Sequence, residues 1–159
     1  MMRELRKPTQ MLRSWYTVFF QLPCLPEMGL RARNYDVIRT VLRRDPIRRR
    51  TFTKLDINRY VQAMSQPGAA TATINYYRAA FRIGPRRVLQ RIRRIKAPTL
   101  LIWGDQDRYL ETGMTQGLEE WVPNLRVARL PNVSHWVQNE APEQVNELMI
   151  QFLKESKSS

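Results

Sequence analysis

His135 is the only histidine in a chain of 159 residues. Asp107 precedes it, closing an apolar run, Thr99-Leu-Leu-Ile-Trp103, while the histidine follows a second strand-like run, Arg126-Val-Ala-Arg-Leu-Pro131. In an open parallel sheet the residues just past the carboxyl ends of the strands face the crevice where ligands bind. A carboxylate behind an imidazole fixes its tautomer and stabilises the imidazolium formed when the ring takes a proton from water. This spacing therefore points to hydrolytic acid–histidine chemistry. Asp105 is a competing carboxylate, although its position suits the turn after the strand. A packed histidine beside Trp136 is the non-chemical alternative for His135.

Such chemistry also calls for a nucleophile, and none stands upstream of the pair. Gly113-Met-Thr-Gln-Gly117 has the spacing of a hydrolase elbow around Thr115, but that elbow needs a buried strand before it. Arg108-Tyr-Leu-Glu-Thr112 is not one. Cys24, the single cysteine, lies between Pro23 and Pro26 in what reads as a turn. It allows no internal disulfide and gives no sign of an oxidising compartment.

The elements that must position these residues divide near Ala97-Pro98. Before that point the pattern is helical, punctuated at Leu22-Pro-Cys-Leu-Pro26, Asp45-Pro46, Gln66-Pro-Gly68 and Gly84-Pro85, with no convincing strand. After it the pattern predicts strand, helix, strand, helix. Residues 113–121 are expected to form a crossover helix between parallel strands. A last amphipathic helix is expected from about Pro142, with Val145, Leu148, Met149, Phe152 and Leu153 on its apolar face, and a frayed tail from Lys154. Two parallel strands make a very small sheet, so the chain reads as the end of a larger one.

At this length one domain is the prior, able to bury roughly two thirds of the surface that its unfolded form exposes. With 43% hydrophobic and 9% aromatic residues the composition is globular. No apolar run approaches the roughly 20 residues of a membrane span, and the first residues lack the pattern of a secretory signal. A cytoplasmic location is the resulting expectation. The net charge of +13 raises nucleic-acid binding as a hypothesis. However, the arginines between Arg31 and Arg50 and between Arg82 and Arg94 are interleaved with apolar residues at helical spacing, including Val37, Val41, Leu42, Val88, Ile92 and Ile95. They read as the wet faces of amphipathic helices. No zinc-finger spacing or ribonucleoprotein-type aromatic motif supports a nucleic-acid partner, and no metal or other cofactor is expected.

Several blocks together carry a family resemblance. They are Ser14-Trp-Tyr-Thr-Val-Phe-Phe-Gln-Leu-Pro23, Leu25-Pro-Glu27, Asn75-Tyr-Tyr-Arg78, Pro98-Thr-Leu-Leu-Ile-Trp-Gly-Asp-Gln-Asp107, and the stretch from Pro131 to Glu143 that contains Ser134-His-Trp136. In this order they resemble the epoxide hydrolases of the α/β-hydrolase fold, from about residue 8 to residue 154. The resemblance implies a partial α/β-hydrolase fold: a helical cap over residues 1–97, then over 98–159 the last two parallel strands and flanking helices of the core. The first half of a family member has no counterpart here. By the same resemblance Asp107 matches the charge-relay acid, His135 the histidine that activates water, and Tyr16 and Tyr77 the two cap tyrosines that hydrogen-bond the epoxide oxygen. The aspartate that attacks the ring has no match.

The implied substrate is a small hydrophobic epoxide, converted to a diol through an alkyl-enzyme ester when a complementing N-terminal half supplies the nucleophile. The chain alone is expected to be inactive. Tyr16 and Tyr77 also read as core aromatics, surrounded by Trp15, Phe19, Phe20, Tyr76 and Phe81. The alternatives for the whole chain are a non-catalytic remnant or basic binding module, and a haloalkane dehalogenase or esterase of the same fold.

Overall fold

The apolar run after Pro98 forms strand β1, Thr99–Gly104, and the run after Asn124 forms β2, Leu125–Leu130. The computed structural model describes residues 8–157. The two strands pair in parallel, from Thr99 opposite Leu125 to Gly104 opposite Leu130. Five helices precede them: α1 (Pro8–Arg13), α2 (Trp15–Phe19), α3 (Leu25–Arg44), α4 (Lys54–Met64) and α5 (Ala69–Arg91). Two follow: α6 (Val137–Glu140) and α7 (Pro142–Lys157). Among the described residues no strand forms before Thr99, and no helix is long and apolar enough to cross a membrane.

The chain divides into two compact units. The first contains α1, a short strap Asp45–Thr51, and the chain from Arg93 onward. Its core is Leu130, Val133, Ala141 and Val145, with Ile102, Val137 and Leu148 packed against them. Helices α6 and α7 both pack on β1. Pro142 opens α7, where its missing N–H costs nothing and its fixed φ suits the first turn. Met149 and Leu153, expected on the apolar face, are 47% and 55% exposed, so the buried stripe is narrower than the sequence pattern.

The expected crossover helix over residues 113–121 does not form. The connection is a short 3₁₀ turn, Thr112–Thr115, followed by irregular chain. Gly117 adopts φ +68°, a left-handed conformation that ends helical propagation, and two glycines in five residues make a helix expensive there. Thr115 is buried with its hydroxyl donated to the Thr112 carbonyl at 2.8 Å, as befits a turn residue.

The second unit comprises Ser14–Arg44 and Phe52–Ile92. Helices α3, α4 and α5 pack on one another around Leu42, Phe52, Ile57, Val61, Ala70 and Ile74. A capping box starts α4: the Thr53 side chain accepts from Asp56 N–H while the Asp56 carboxylate accepts from Thr53 N–H. The arginine-rich α3 is not continuous. Ala32 is extended and Arg33, Asn34 and Tyr35 are left-handed, which splits the helix. Val37, expected on its apolar face, is 44% exposed. In α5 the break falls at Gly84, with φ +71°, where Gly84-Pro85 was expected to punctuate. Proline disfavours the helical conformation in the residue before it.

Candidate active site

The loops after the two strands bring the acid and the histidine together. Asp105 N–H donates to the Leu130 carbonyl at 3.1 Å, and Gln106 N–H to that of Val133 at 3.0 Å. The chain leaving β1 is thereby tied to the chain leaving β2. Gly104 sits at the crossing. A Cβ there would overlap the Ser134 carbonyl oxygen and stand 2.5 Å from that of Val133, so only glycine lets the histidine loop cross so closely.

His135 Nδ1 lies 2.8 Å from Asp107 Oδ2. The other carboxylate oxygen accepts the backbone N–H groups of Tyr109 at 2.7 Å and Leu110 at 3.0 Å. Asp107 is well buried, its side chain 6% exposed, whereas the imidazole remains 42% exposed. Burial on its own pushes the Asp107 carboxyl up, but the hydrogen bonds from His135, Leu110 and Tyr109 outweigh it and hold the group below its ordinary range. The bond to Asp107 raises His135, against the opposing effect of burial, and the charges of Asp107 and Asp45 add to the rise. With Nδ1 donating to the carboxylate, Nε2 is the nitrogen left to accept a proton. Asp105 pairs instead with Arg129, Nε to Oδ1 at 2.7 Å, and serves the turn.

Tyr16 and Tyr77 meet within the second unit. Their rings stand 5.9 Å apart at 83°, edge to face, and Phe20 joins them at 5.6 Å from Tyr16 and 5.0 Å from Tyr77. Both tyrosines are half-buried. Arg78, the residue after Tyr77, ties the middle of α5 to the chain between α2 and α3. Its guanidinium donates to Glu27 at 2.6 and 3.2 Å and to the carbonyls of Phe20 at 3.0 Å and Leu22 at 2.7 Å. Cys24 is exposed at φ +61° in the turn before α3.

Three residues around the histidine were not singled out from the sequence. The Tyr109 ring packs edge-on to His135 at 5.1 Å while its hydroxyl donates to Asp45. Glu140 is buried at the end of α6 beneath the histidine loop. One signal was available for Glu140: an acid between the apolar positions Val137 and Ala141, the first partly buried and the second fully, must find donors.

A family model described as the alpha/beta hydrolase fold matches residues 8–142. The chain is 37% identical over 147 residues to an AB hydrolase superfamily protein, YfhM, of Bacillus subtilis, covering 92% of this chain and 50% of that protein. To epoxide hydrolase 3 of Xenopus tropicalis it is 34% identical over 161 residues, covering 95% and 41% respectively. A crystal structure of a point mutant of an epoxide hydrolase from Bacillus megaterium superposes with a TM-score of 0.82 at 29% identity, over 96% of this chain and 56% of that one. The chain thus spans about half the length of the relatives it matches.

Proposed function

The chain belongs to the epoxide hydrolase branch of the α/β-hydrolase fold family, and from that premise we propose that its residues supply the lid and the water-activating half of an enzyme that opens hydrophobic epoxides to diols. The observation that carries this reading is the 2.8 Å contact between His135 Nδ1 and Asp107 Oδ2. It leaves one imidazole nitrogen for a water proton, in a residue still exposed to solvent.

In this reading the lid is the helical part up to residue 97. Tyr16 and Tyr77 donate hydrogen bonds to the epoxide oxygen, and a phenol with an ordinary pKa near 10 can give its proton to the alkoxide released as the ring opens. A carboxylate nucleophile attacks a ring carbon, the C–O bond breaks, and an alkyl ester forms. That nucleophile has no match among these 159 residues and comes from outside them. His135 Nε2 then takes a proton from water, and the hydroxide adds to the ester carbonyl. The alkyl C–O oxygen leaves with the proton of the added hydroxyl, which releases the diol and regenerates the carboxylate, and the imidazolium proton returns through solvent to the tyrosinate left by ring opening. Asp107 stabilises the imidazolium during this step.

The test is to supply the nucleophile-bearing half, fused or co-expressed, and to assay a hydrophobic epoxide such as a styrene oxide. Diol formation is expected, and His135→Gln should trap the alkyl ester as a mass adduct on the nucleophile-bearing half. Turnover of esters but not epoxides would refute the tyrosine assignment. Loss of a halide from a haloalkane would do the same, since a halide needs no proton.

A further inference from the structure

Glu140 is 5% exposed, yet each of its carboxylate oxygens is occupied. Oε1 accepts both the N–H of Ser134, at 3.0 Å, and the Ser134 hydroxyl. Oε2 accepts the N–H groups of Ile47 at 3.0 Å and Arg48 at 3.1 Å, both in the strap Asp45–Thr51. The Arg48 guanidinium then bonds the Glu140 carbonyl at 2.9 Å and Gln144 Oε1 at 3.2 Å. A buried carboxylate is retained at such a cost in desolvation only where several donors converge on it. Here one set of donors is the residue immediately before His135, itself 1% exposed.

The same strap approaches the imidazole by a second route. Asp45, its first residue, accepts the Tyr109 hydroxyl, and the Tyr109 ring lies against His135. Among the described residues, Asp107, Asp45 and Tyr109 face His135 in this unit, and the Arg13 guanidinium donates to the Asp107 carbonyl at 3.0 Å. We infer that Glu140 is a positioning residue for His135: its carboxylate clamps Ser134 to the strap and so fixes where the imidazole stands against Asp107. The inference rests on the reading of His135 as the water-activating base.

The histidine is single, so with this chain isotopically labelled and joined to an unlabelled nucleophile-bearing half, its ring signals in an NMR titration report on this site alone. Glu140→Gln keeps the volume but exchanges one accepting oxygen for a donor, which removes the acceptor from either Ser134 or the strap. The expected result is a fall in imidazole proton affinity of roughly threefold or more, in the same direction as the larger fall in Asp107→Asn. A wild-type titration in Glu140→Gln, alongside a shifted one in Asp107→Asn, overturns the positioning role and leaves the proposed function standing. No shift in Asp107→Asn would instead strike at the acid–histidine pair itself. If Glu140→Gln fails to fold, Ser134→Ala decides: it removes one donor to Glu140 together with the acceptor of the Trp136 N–H, and a smaller shift of the same sign supports the inference, whereas an unchanged titration refutes it.

Discussion

His135 holds its proton to higher pH than a free imidazole because the Asp107 carboxylate accepts from Nδ1. A group raised on folding stabilises the fold fully below its unfolded pKa of about 6.5 and loses that contribution as pH rises through the folded value. Asp107 is lowered, so its contribution is present above about 3.9 and is lost as pH falls through its folded value. Urea midpoints of the chain joined to its nucleophile-bearing half should therefore carry this pair's full contribution between about pH 4 and 6.5. Asp107→Asn should remove the alkaline decline, whose size is under about 1 kcal/mol because the ring is half-exposed. A base must be neutral to act, so turnover of the completed enzyme should rise as pH is raised through the folded His135 value. Arg78 matters by a different route. Arg78→Lys cannot span Glu27 and two carbonyls with a single ammonium, and a loss of about 2 kcal/mol in thermal or urea denaturation is expected.

At the scale of elements, the site depends on two strands ending side by side and on a glycine where their loops cross. Gly104→Ala should cost about 3 kcal/mol, since the obstructing atoms are the backbone oxygens of Val133 and Ser134, which cannot swing away as a flexible side chain would. It should also displace His135, seen as a His135 titration close to that of a free imidazole in whatever fraction remains folded. Val145→Ala on α7 removes buried methyls from the Leu130, Val133 and Ala141 cluster. A loss of about 2 kcal/mol is expected there, with the His135 titration unchanged. The comparison separates stability from site geometry. Sequence periodicity located β1, β2 and α7 because each buries a face whose pattern is local. It failed at residues 113–121, where helix-length spacing between two strands was filled by a turn, and at Ala32–Tyr35, where left-handed residues interrupt an otherwise helical pattern.

For the whole molecule, the balance of exposed groups governs behaviour in solution. Among the described residues β1 pairs only with β2, and Leu12, Trp15, Val18, Met28 and Tyr76 are each more than half exposed. An open parallel edge and uncovered apolar side chains favour association. The isolated chain is accordingly expected to self-associate and to convert no epoxide, which light scattering and a diol assay check. A sharp, concentration-independent melt of a monomer would contradict this. The charge of +13 predicts a second behaviour, weak binding to DNA that fades steeply with added salt. Binding that persists at high salt would favour the binding-module reading.

The sequence by itself determined which groups were available for chemistry, because a lone histidine after one strand and an aspartate after another leave few alternatives. It also placed helices before Pro98 and the two strands after it, since apolar periodicity is set within a few residues of each position, but not the return of α1 and the strap Asp45–Thr51 to the strand-containing unit. Only the tertiary structure decided which carboxylate serves the histidine, assigning Asp107 to His135 and Asp105 to Arg129. It alone brought Glu140, Asp45 and Tyr109 around the same loop. Those partners are joined by contacts between residues up to 93 positions apart, and a spacing of that size leaves no mark on local pattern. What links them is the need of buried polar groups for partners, and that need is met in space, not along the chain.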